Sequence, residues 1–196
     1  MSDGLEFLLG RPLVIAIAGS NGAGKSTFVA SHLAESGLRF INADVLAAEL
    51  QIGPYEAAEV AASLRAAFIS RGESFIFETV LSDPVGDKVD MLAGYAEAGY
   101  TVVLIFIAIQ DVAISIERVS MRVSHGGHDV PDEKLQTRFP RTEANLKRAI
   151  ERLPHVIVYD NSDLEQPYRL VQRYEQGKPT HAPPKLNPRA DSGEGI

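Results

Sequence analysis

The sequence lacks cysteine and tryptophan, and no apolar run in it is long. Without cysteine, disulfides, thiolate catalysis and cysteine-ligated zinc are excluded. The longest apolar stretch, residues 102–109, is too short to cross a bilayer, and the first residues do not resemble a secretion signal. Basic residues are also few, because 19 Lys and Arg stand against 26 Asp and Glu, giving a formal charge of −7. We therefore expect a cytoplasmic protein without a membrane or nucleic-acid partner.

Short, nearly continuous apolar runs alternate along the chain with segments typical of helices. The predicted strands lie at residues 13–18, 39–42, 75–77, 101–109 and 156–159. The predicted helices lie at residues 25–35, 54–70, 85–98, 112–123 and 132–152. Continuous apolar runs indicate strands that are covered on both faces, as in a parallel sheet. The alternation predicts an α/β fold with a doubly wound, mostly parallel sheet of five strands.

A length of 196 residues indicates one domain, which we place at residues 1–175. The composition changes after this point. Residues 176–196 contain four prolines and almost no apolar residue, so we expect a disordered tail.

The strongest motif fits the pattern G-x-x-x-x-G-K-[ST], which defines a phosphate-binding loop (P-loop). It follows the first predicted strand and precedes the first predicted helix, as a P-loop must. Backbone N–H groups of such a loop surround phosphates, and the helix N-terminus adds partial positive charge. Lys25 is predicted to reach the β- and γ-phosphates, and Ser26 to bind Mg²⁺. The predicted nucleotide-binding residues are Gly19, Asn21, Gly22, Ala23, Gly24, Lys25, Ser26 and Thr27.

Two acidic residues follow predicted strands, at the edge of the sheet where doubly wound folds bind ligands. Asp44 follows the second strand and Glu78 the third. Phosphoryl transfer uses a carboxylate to orient and deprotonate the acceptor hydroxyl, and we assign that role to Asp44. Its alternative role is the N-cap of a helix at residues 45–50. Glu78 is predicted either to order the waters around Mg²⁺ or to bind the acceptor, and Asn42 and Thr79 are further candidates for acceptor binding.

Four arginines flank a glycine-containing segment at residues 123–131. Arg118 and Arg122 share one helix face, and Arg138 and Arg141 lie one turn apart on the next helix. This arrangement predicts a small lid whose arginines stabilise the transferred phosphoryl group. Arg118, Arg122 and Arg138 are the catalytic candidates, and His128 is predicted to contact the substrate. The alternative is that these arginines form surface ion pairs.

Several of these strings, taken in order, resemble the zeta-toxin-like P-loop kinases, a group also described as predicted ABC-type ATPases. The strings are AGSNGAGKST, FINADVLAAEL, FIFETVLS, AGYTVVLIFIAI, RVSMRVSHGGHDVP and VYDNS. The resemblance implies an adenylate-kinase-like sheet with strand order 2-3-1-4-5. It also implies ATP, Mg²⁺ and an acceptor such as UDP-N-acetylglucosamine, with Asp44 as the base. Members of the family are often restrained by an antitoxin protein.

These observations favour an ATP- and Mg²⁺-dependent kinase that phosphorylates a hydroxyl of a small acceptor, expected to be a nucleotide sugar. Two alternatives remain at this point. One is a metabolic or antibiotic kinase for another small alcohol. The other is an ATP-dependent switch in which nucleotide binding orders the lid and recruits a protein partner.

Overall fold

The described part of the chain is built around one seven-stranded sheet. The computed structural model describes residues 8, 10–124, 126–127 and 129–180. The strands are β1 (Leu13–Ala18), β2 (Arg39–Ile41), β3 (Phe75–Thr79), β4 (Thr101–Ala108), β5 (His155–Asp160), β6 (Arg169–Glu175) and β7 (Lys178–Pro179). Their order is β2-β3-β1-β4-β5-β6-β7. The first five strands are parallel, so the predicted class and the order 2-3-1-4-5 are confirmed.

Two additional strands extend the sheet beyond β5, so the predicted number of five was wrong. Both are antiparallel to their neighbours, β6 to β5 and β7 to β6. Strand β6 has the sequence RLVQRYE and is mostly half-buried, which explains why it shows no continuous apolar run. Strand β7 lies within the segment predicted to be a tail, so ordered structure reaches Thr180; residues 181–196 of that tail lie outside the described residues.

Within the described residues, six α-helices connect or flank the strands. They are α1 (Lys25–Phe28), α2 (Ala43–Leu50), α3 (Pro54–Ser70), α4 (Asp87–Glu97), α5 (Val112–Ser124) and α6 (Asp132–Arg152). Helix α1 continues as a π turn, Val29–Leu33, and a 3₁₀ turn, Ala34–Ser36. The bounds of α3 and α6 are those predicted, whereas α4 begins two residues later, at Asp87.

The sheet separates two hydrophobic cores, and alternate residues of β1 point into each. Val14 and Ala16 belong to one core with Phe75 and Phe77 of β3. Leu13, Ile15 and Ile17 belong to the other. Every residue of β1 is buried, which explains its continuous apolar sequence. Because β1 lies between β3 and β4, the loop that follows β1 begins in the interior of the sheet and not at one of its edges. Among the described residues, no helix has the length and apolar character needed to span a membrane.

Candidate active site

The P-loop lies at the carboxyl end of β1 and leads directly into α1. Three of its glycines have positive φ angles, and two of them, Gly19 and Gly24, also leave no room for a side chain. Gly19 has φ of 144° and Gly24 has φ of 91°. A Cβ atom at Gly19 would collide with the carbonyl oxygen of Ile107, and one at Gly24 would lie 2.6 Å from the side-chain nitrogen of Asn161. Both positions therefore require glycine, as the motif predicts.

Four loop carbonyl groups accept hydrogen bonds from side chains. Lys25 Nζ donates to Ser20 O at 2.9 Å, Ser115 Oγ to Asn21 O at 2.7 Å, Asn161 Nδ2 to Ala23 O at 2.8 Å and Tyr168 Oη to Gly24 O at 2.9 Å. The last three donors come from α5, the residue after β5 and the residue before β6. A phosphate loop binds through its N–H groups, so holding its carbonyl groups in this way orients the backbone for an anion.

Lys25 is a buried cation with 6% of its surface exposed. Its Nζ lies 3.6 Å from Oε1 of Glu78. Burial lowers the pKa of Lys25 below its ordinary value, while the negative charges of Glu78 and Asp44 act in the opposite direction. A phosphate group would supply the additional negative charge that a buried ammonium group favours.

Glu78 lies at the centre of the site. The parallel pairing of β1 with β3 aligns Ile17 with Glu78, which places this carboxylate beside the P-loop. Its Oε2 accepts hydrogen bonds from Ser26 Oγ at 2.7 Å and from Asn42 Nδ2 at 2.8 Å. We predicted that Glu78 binds the acceptor or orders the waters around Mg²⁺. In the structure its contacts include Lys25 and Ser26, the P-loop residues expected to bind phosphate and Mg²⁺.

The oxygen atoms in this corner suit a magnesium ion. Mg²⁺ prefers hard oxygen ligands and binds through few protein groups, with phosphate oxygens and water completing its coordination. Ser26 and Glu78 supply a hydroxyl and a carboxylate within hydrogen-bonding distance of each other. These residues therefore fit the ion that the P-loop motif implies.

Asp44 lies in the first turn of α2, and its side chain is exposed. The alternative prediction, that Asp44 is the N-cap, is not what the structure shows. The cap is Asn42, whose Oδ1 accepts from the backbone N–H groups of Asp44 at 2.8 Å and of Val45 at 3.3 Å. The carboxylate of Asp44 makes no hydrogen bond or ion pair with any residue described, so it is available to a ligand.

The candidate arginines have different environments. Arg122 and Arg138 both line the cleft in front of the P-loop. Arg118 also lines it, but its two terminal nitrogens donate to the carbonyl oxygens of Asn161 at 2.8 Å and Ser162 at 3.0 Å. Arg118 therefore holds the segment after β5 in the structure. Arg141 is exposed and does not line the cleft.

The cleft has a volume of about 840 Å³. Predicted residues in its wall are Asn21, Gly22, Gly24, Lys25, Ser26, Thr27, Asp44, Glu78, Arg118, Arg122 and Arg138. Asp129 and Val130, from the predicted lid segment, also line it. Val130 packs with Val119 and Leu135 in a small hydrophobic cluster, which seats this segment between α5 and α6. His128 lies outside the described residues.

A second pocket of about 260 Å³ adjoins the cleft. Asp44 and Glu78 line both spaces, and Asn42 and Thr79 line only the second. Arg65 and Lys88 also line this second pocket, and sequence reasoning missed both. Tyr55, which lines the large cleft and has 83% of its surface exposed, was also missed. None of these three residues belongs to a motif that sequence reasoning could use.

The parallel sheet, the P-loop and the acids at adjacent strand ends define the class of P-loop kinases. A family model described as zeta toxin matches residues 51–170, which is more than half of the chain, and the chain belongs to the zeta toxin family. The matched region begins after the P-loop. No curated protein sequence matches the chain.

Solved structures show the same fold at low sequence identity. A crystal structure of AvrRxo1-ORF1:AvrRxo1-ORF2 with sulphate ions aligns with a TM-score of 0.68 and 17% identity, over 90% of this chain and 63% of the other. The chain thus spans less than two thirds of that protein. A structure from the PezAT chromosomal toxin-antitoxin system of Streptococcus pneumoniae aligns with a TM-score of 0.59 and 16% identity, over 83% of this chain and 72% of the other. A putative kinase from Chloroflexus aurantiacus aligns with a TM-score of 0.55 and 18% identity, over 80% of this chain and 92% of the other.

Proposed function

We propose that this protein transfers the γ-phosphate of ATP to a hydroxyl group of a small acceptor. The observation that carries the proposal is the position of Asp44, which lines both the cleft containing the P-loop and the adjoining pocket. An acceptor in that pocket would present its hydroxyl between the nucleotide and this carboxylate. Membership of the zeta toxin family supports the same conclusion, and an AvrRxo1 complex of the same fold has been crystallised with ATP.

Each residue has a role that follows from its contacts. The P-loop and Lys25 would bind the phosphates of ATP, and Ser26 and Glu78 would hold Mg²⁺, which neutralises phosphate charge when bound. Asp44 would orient the acceptor hydroxyl and accept its proton as the oxygen attacks the γ-phosphorus. Arg122 and Arg138 would stabilise the charge on the transferred group. ADP would leave as the P–O bond to the γ-phosphate breaks.

For the acceptor we propose a nucleotide sugar such as UDP-N-acetylglucosamine, on the strength of the family resemblance. The test is release of ADP from ATP and Mg²⁺ with and without this sugar nucleotide. Stimulated release, together with a phosphorylated product detected by mass spectrometry, would support the proposal. If this acceptor fails and another hydroxyl compound is phosphorylated, the kinase stands with a different substrate.

An antitoxin partner and a cytoplasmic location are also proposals. They rest on the family and on the PezAT toxin-antitoxin system, whose toxin shares this fold. The proposed antitoxin partner would be tested by expressing the chain alone and together with its neighbouring genes. Growth arrest that a neighbouring small protein relieves is the expected result, whereas unaffected growth under strong expression would argue against a toxin.

The alternative of an ATP-dependent switch makes a different prediction about Asp44. A switch needs nucleotide binding but no base, so Asp44→Asn would leave partner recruitment intact. It would also show no release of ADP that depends on an acceptor. No contact among the described residues favours this alternative over the kinase.

A further inference from the structure

The side chain of Asn42 joins the helix that carries Asp44 to the carboxylate of Glu78. Asn42 lies between β2 and α2 and has 6% of its surface exposed. Its Oδ1 accepts from the backbone N–H groups of Asp44 at 2.8 Å and of Val45 at 3.3 Å. Its Nδ2 donates to Oε2 of Glu78 at 2.8 Å. One amide group therefore contacts the first turn of α2 with its oxygen and Glu78 with its nitrogen.

Capping the helix explains only half of this amide. An asparagine amide can accept two hydrogen bonds and donate two, and Asn42 makes three of these four within the protein. A helix N-cap needs an acceptor oxygen and no donor, so serine or aspartate caps a helix about as well as asparagine. The cap alone therefore gives no reason for the nitrogen atom, which contacts Glu78.

The hydrogen bonds of Asn42 tie the start of α2 to the sheet. The parallel register of β2 with β3 aligns Ile41 with Phe77, so Asn42 and Glu78 occupy the next position along each strand. The chain then leaves the sheet as α2. None of the residues of α2, all of which the structure describes, is buried. Packing holds such an element weakly, so a specific link at its first turn matters for its position.

We propose that Asn42 is a positioning residue, which fixes Asp44 relative to Glu78. The inference rests on the proposed phosphotransfer, in which Asp44 acts on the acceptor hydroxyl and Glu78 shares Mg²⁺ with the phosphates of ATP. A fixed relation between the two carboxylates thus places the base relative to the γ-phosphate. Misplacement by about 1 Å can lower a reaction rate by about 100-fold. Sequence reasoning assigned Asn42 to acceptor binding, whereas its contacts favour an action through Asp44.

The kinetic test uses Asn42→Ser, because serine keeps an oxygen for the cap but is too short to replace the N–H group at Glu78. At saturating ATP and Mg²⁺ we expect kcat to fall by about 10- to 100-fold, with the dissociation constant for ATP within about threefold of the wild type. In the Asp44→Asn background the same substitution should change the transfer rate by less than about twofold, because the base that it positions is absent. A loss by the same factor in both backgrounds, or no loss in either, would overturn the proposal.

Ser74→Ala is the matched control for the loss of a hydrogen bond between neighbouring strands. Ser74 precedes β3, at the opposite end of that strand from Glu78, and its Oγ accepts from the backbone N–H group of Leu13 at 2.9 Å. This variant should lower thermal stability and keep the kcat of the wild type. A fall in kcat equal to that of Asn42→Ser would attribute the effect to stability and overturn the positioning role.

Hydrogen exchange separates this inference from the proposed function, because it requires no phosphorylated product. Exchange in the first turn of α2 is measured with and without a non-hydrolysable ATP analogue and Mg²⁺. We expect the ligands to slow exchange by at least about threefold in the wild type and in Ser74→Ala, and to have no effect on this turn in Asn42→Ser. That result would support the link even if no acceptor were phosphorylated, in which case only the phosphotransfer proposal would fail. Equal responses in all three proteins, or none in any, would overturn the link.

Discussion

Asn161 connects the sheet to the phosphate loop, and its removal provides a direct test of how the loop is held. The residue follows β5 and has 3% of its surface exposed. Its Nδ2 donates to Ala23 O at 2.8 Å, inside the P-loop. In Asn161→Ala the carbonyl group of Ala23 loses this partner while remaining buried, since Ala23 itself is fully buried.

The expected loss of ATP affinity follows from the free energy that a buried polar group without a partner costs, which is about 1–3 kcal/mol. If the loop escapes this cost by rotating the peptide toward water, ATP must restore the original conformation when it binds. The same free energy is then lost from ATP affinity. At about 1.4 kcal/mol for each factor of ten, ATP should bind about 5- to 150-fold more weakly.

The assay is isothermal titration calorimetry, which measures the affinity for ATP in the presence of Mg²⁺ at a temperature at which each variant is folded. Asn145→Ala is the matched control, because Asn145 is also buried and donates to the carbonyl oxygens of Leu81 at 2.9 Å and Asp83 at 2.8 Å. The control should lower thermal stability and leave ATP affinity unchanged. ATP affinity in Asn161→Ala equal to that of the wild type, or an equal loss in both variants, would refute the reasoning.

Three further predictions concern the charged residues. Glu78→Gln keeps the shape of the side chain but removes the negative charge beside Lys25 and Ser26. We therefore expect Mg²⁺-dependent turnover to fall by about 10- to 1000-fold and the Mg²⁺ concentration needed for half-maximal activity to rise. An unchanged Mg²⁺ titration would contradict this prediction. Arg122→Gln and Arg138→Gln should each lower kcat by about 100-fold, measured by steady-state ADP release, while the exposed Arg141→Gln retains wild-type kcat. Because burial lowers the pKa of Lys25 below 10.5, this side chain loses its proton as the pH rises through that lowered value. ATP affinity should therefore weaken in that range, with proton uptake on binding that calorimetry in two buffers detects and that Lys25→Met abolishes.

The sequence predicted the fold well because its parallel strands are buried on both faces. Each residue of β1 is buried, so the strand appears as an unbroken apolar run. Strand β6 did not appear in the same way. It lies toward the antiparallel edge, where Arg169 is exposed and Gln172 is buried, so neither a continuous nor an alternating pattern marks it.

The site was predicted where a motif or a strand end fixes the position of a residue. The P-loop and the two acids needed no tertiary information beyond the rule that ligands bind at the carboxyl ends of parallel strands. The donors to the loop carbonyls could not be predicted in this way. Asn161 and Tyr168 lie 138 and 144 residues along the chain from their partners in the P-loop.

The environments of the arginines also required the structure. Arg118 and Arg122 share a helix face in sequence, which made them equivalent candidates. Only the packing of α5 against the segment after β5 shows that Arg118 donates to backbone carbonyl groups. Arg65 on α3 and Lys88 on α4 lie 23 residues apart in sequence, and only the structure shows that both line one pocket.

The measurement that tests the central claim most directly is a pair of values for Asp44→Asn, namely the dissociation constant for ATP and the rate at which labelled γ-phosphate reaches an acceptor. The side chain lines the cleft, and among the described residues it makes no hydrogen bond or ion pair with the P-loop. We predict ATP binding within about threefold of the wild type and a transfer rate lower by about 100- to 10,000-fold, as expected for loss of a general base. Transfer at the wild-type rate would contradict the assignment of Asp44 as the base.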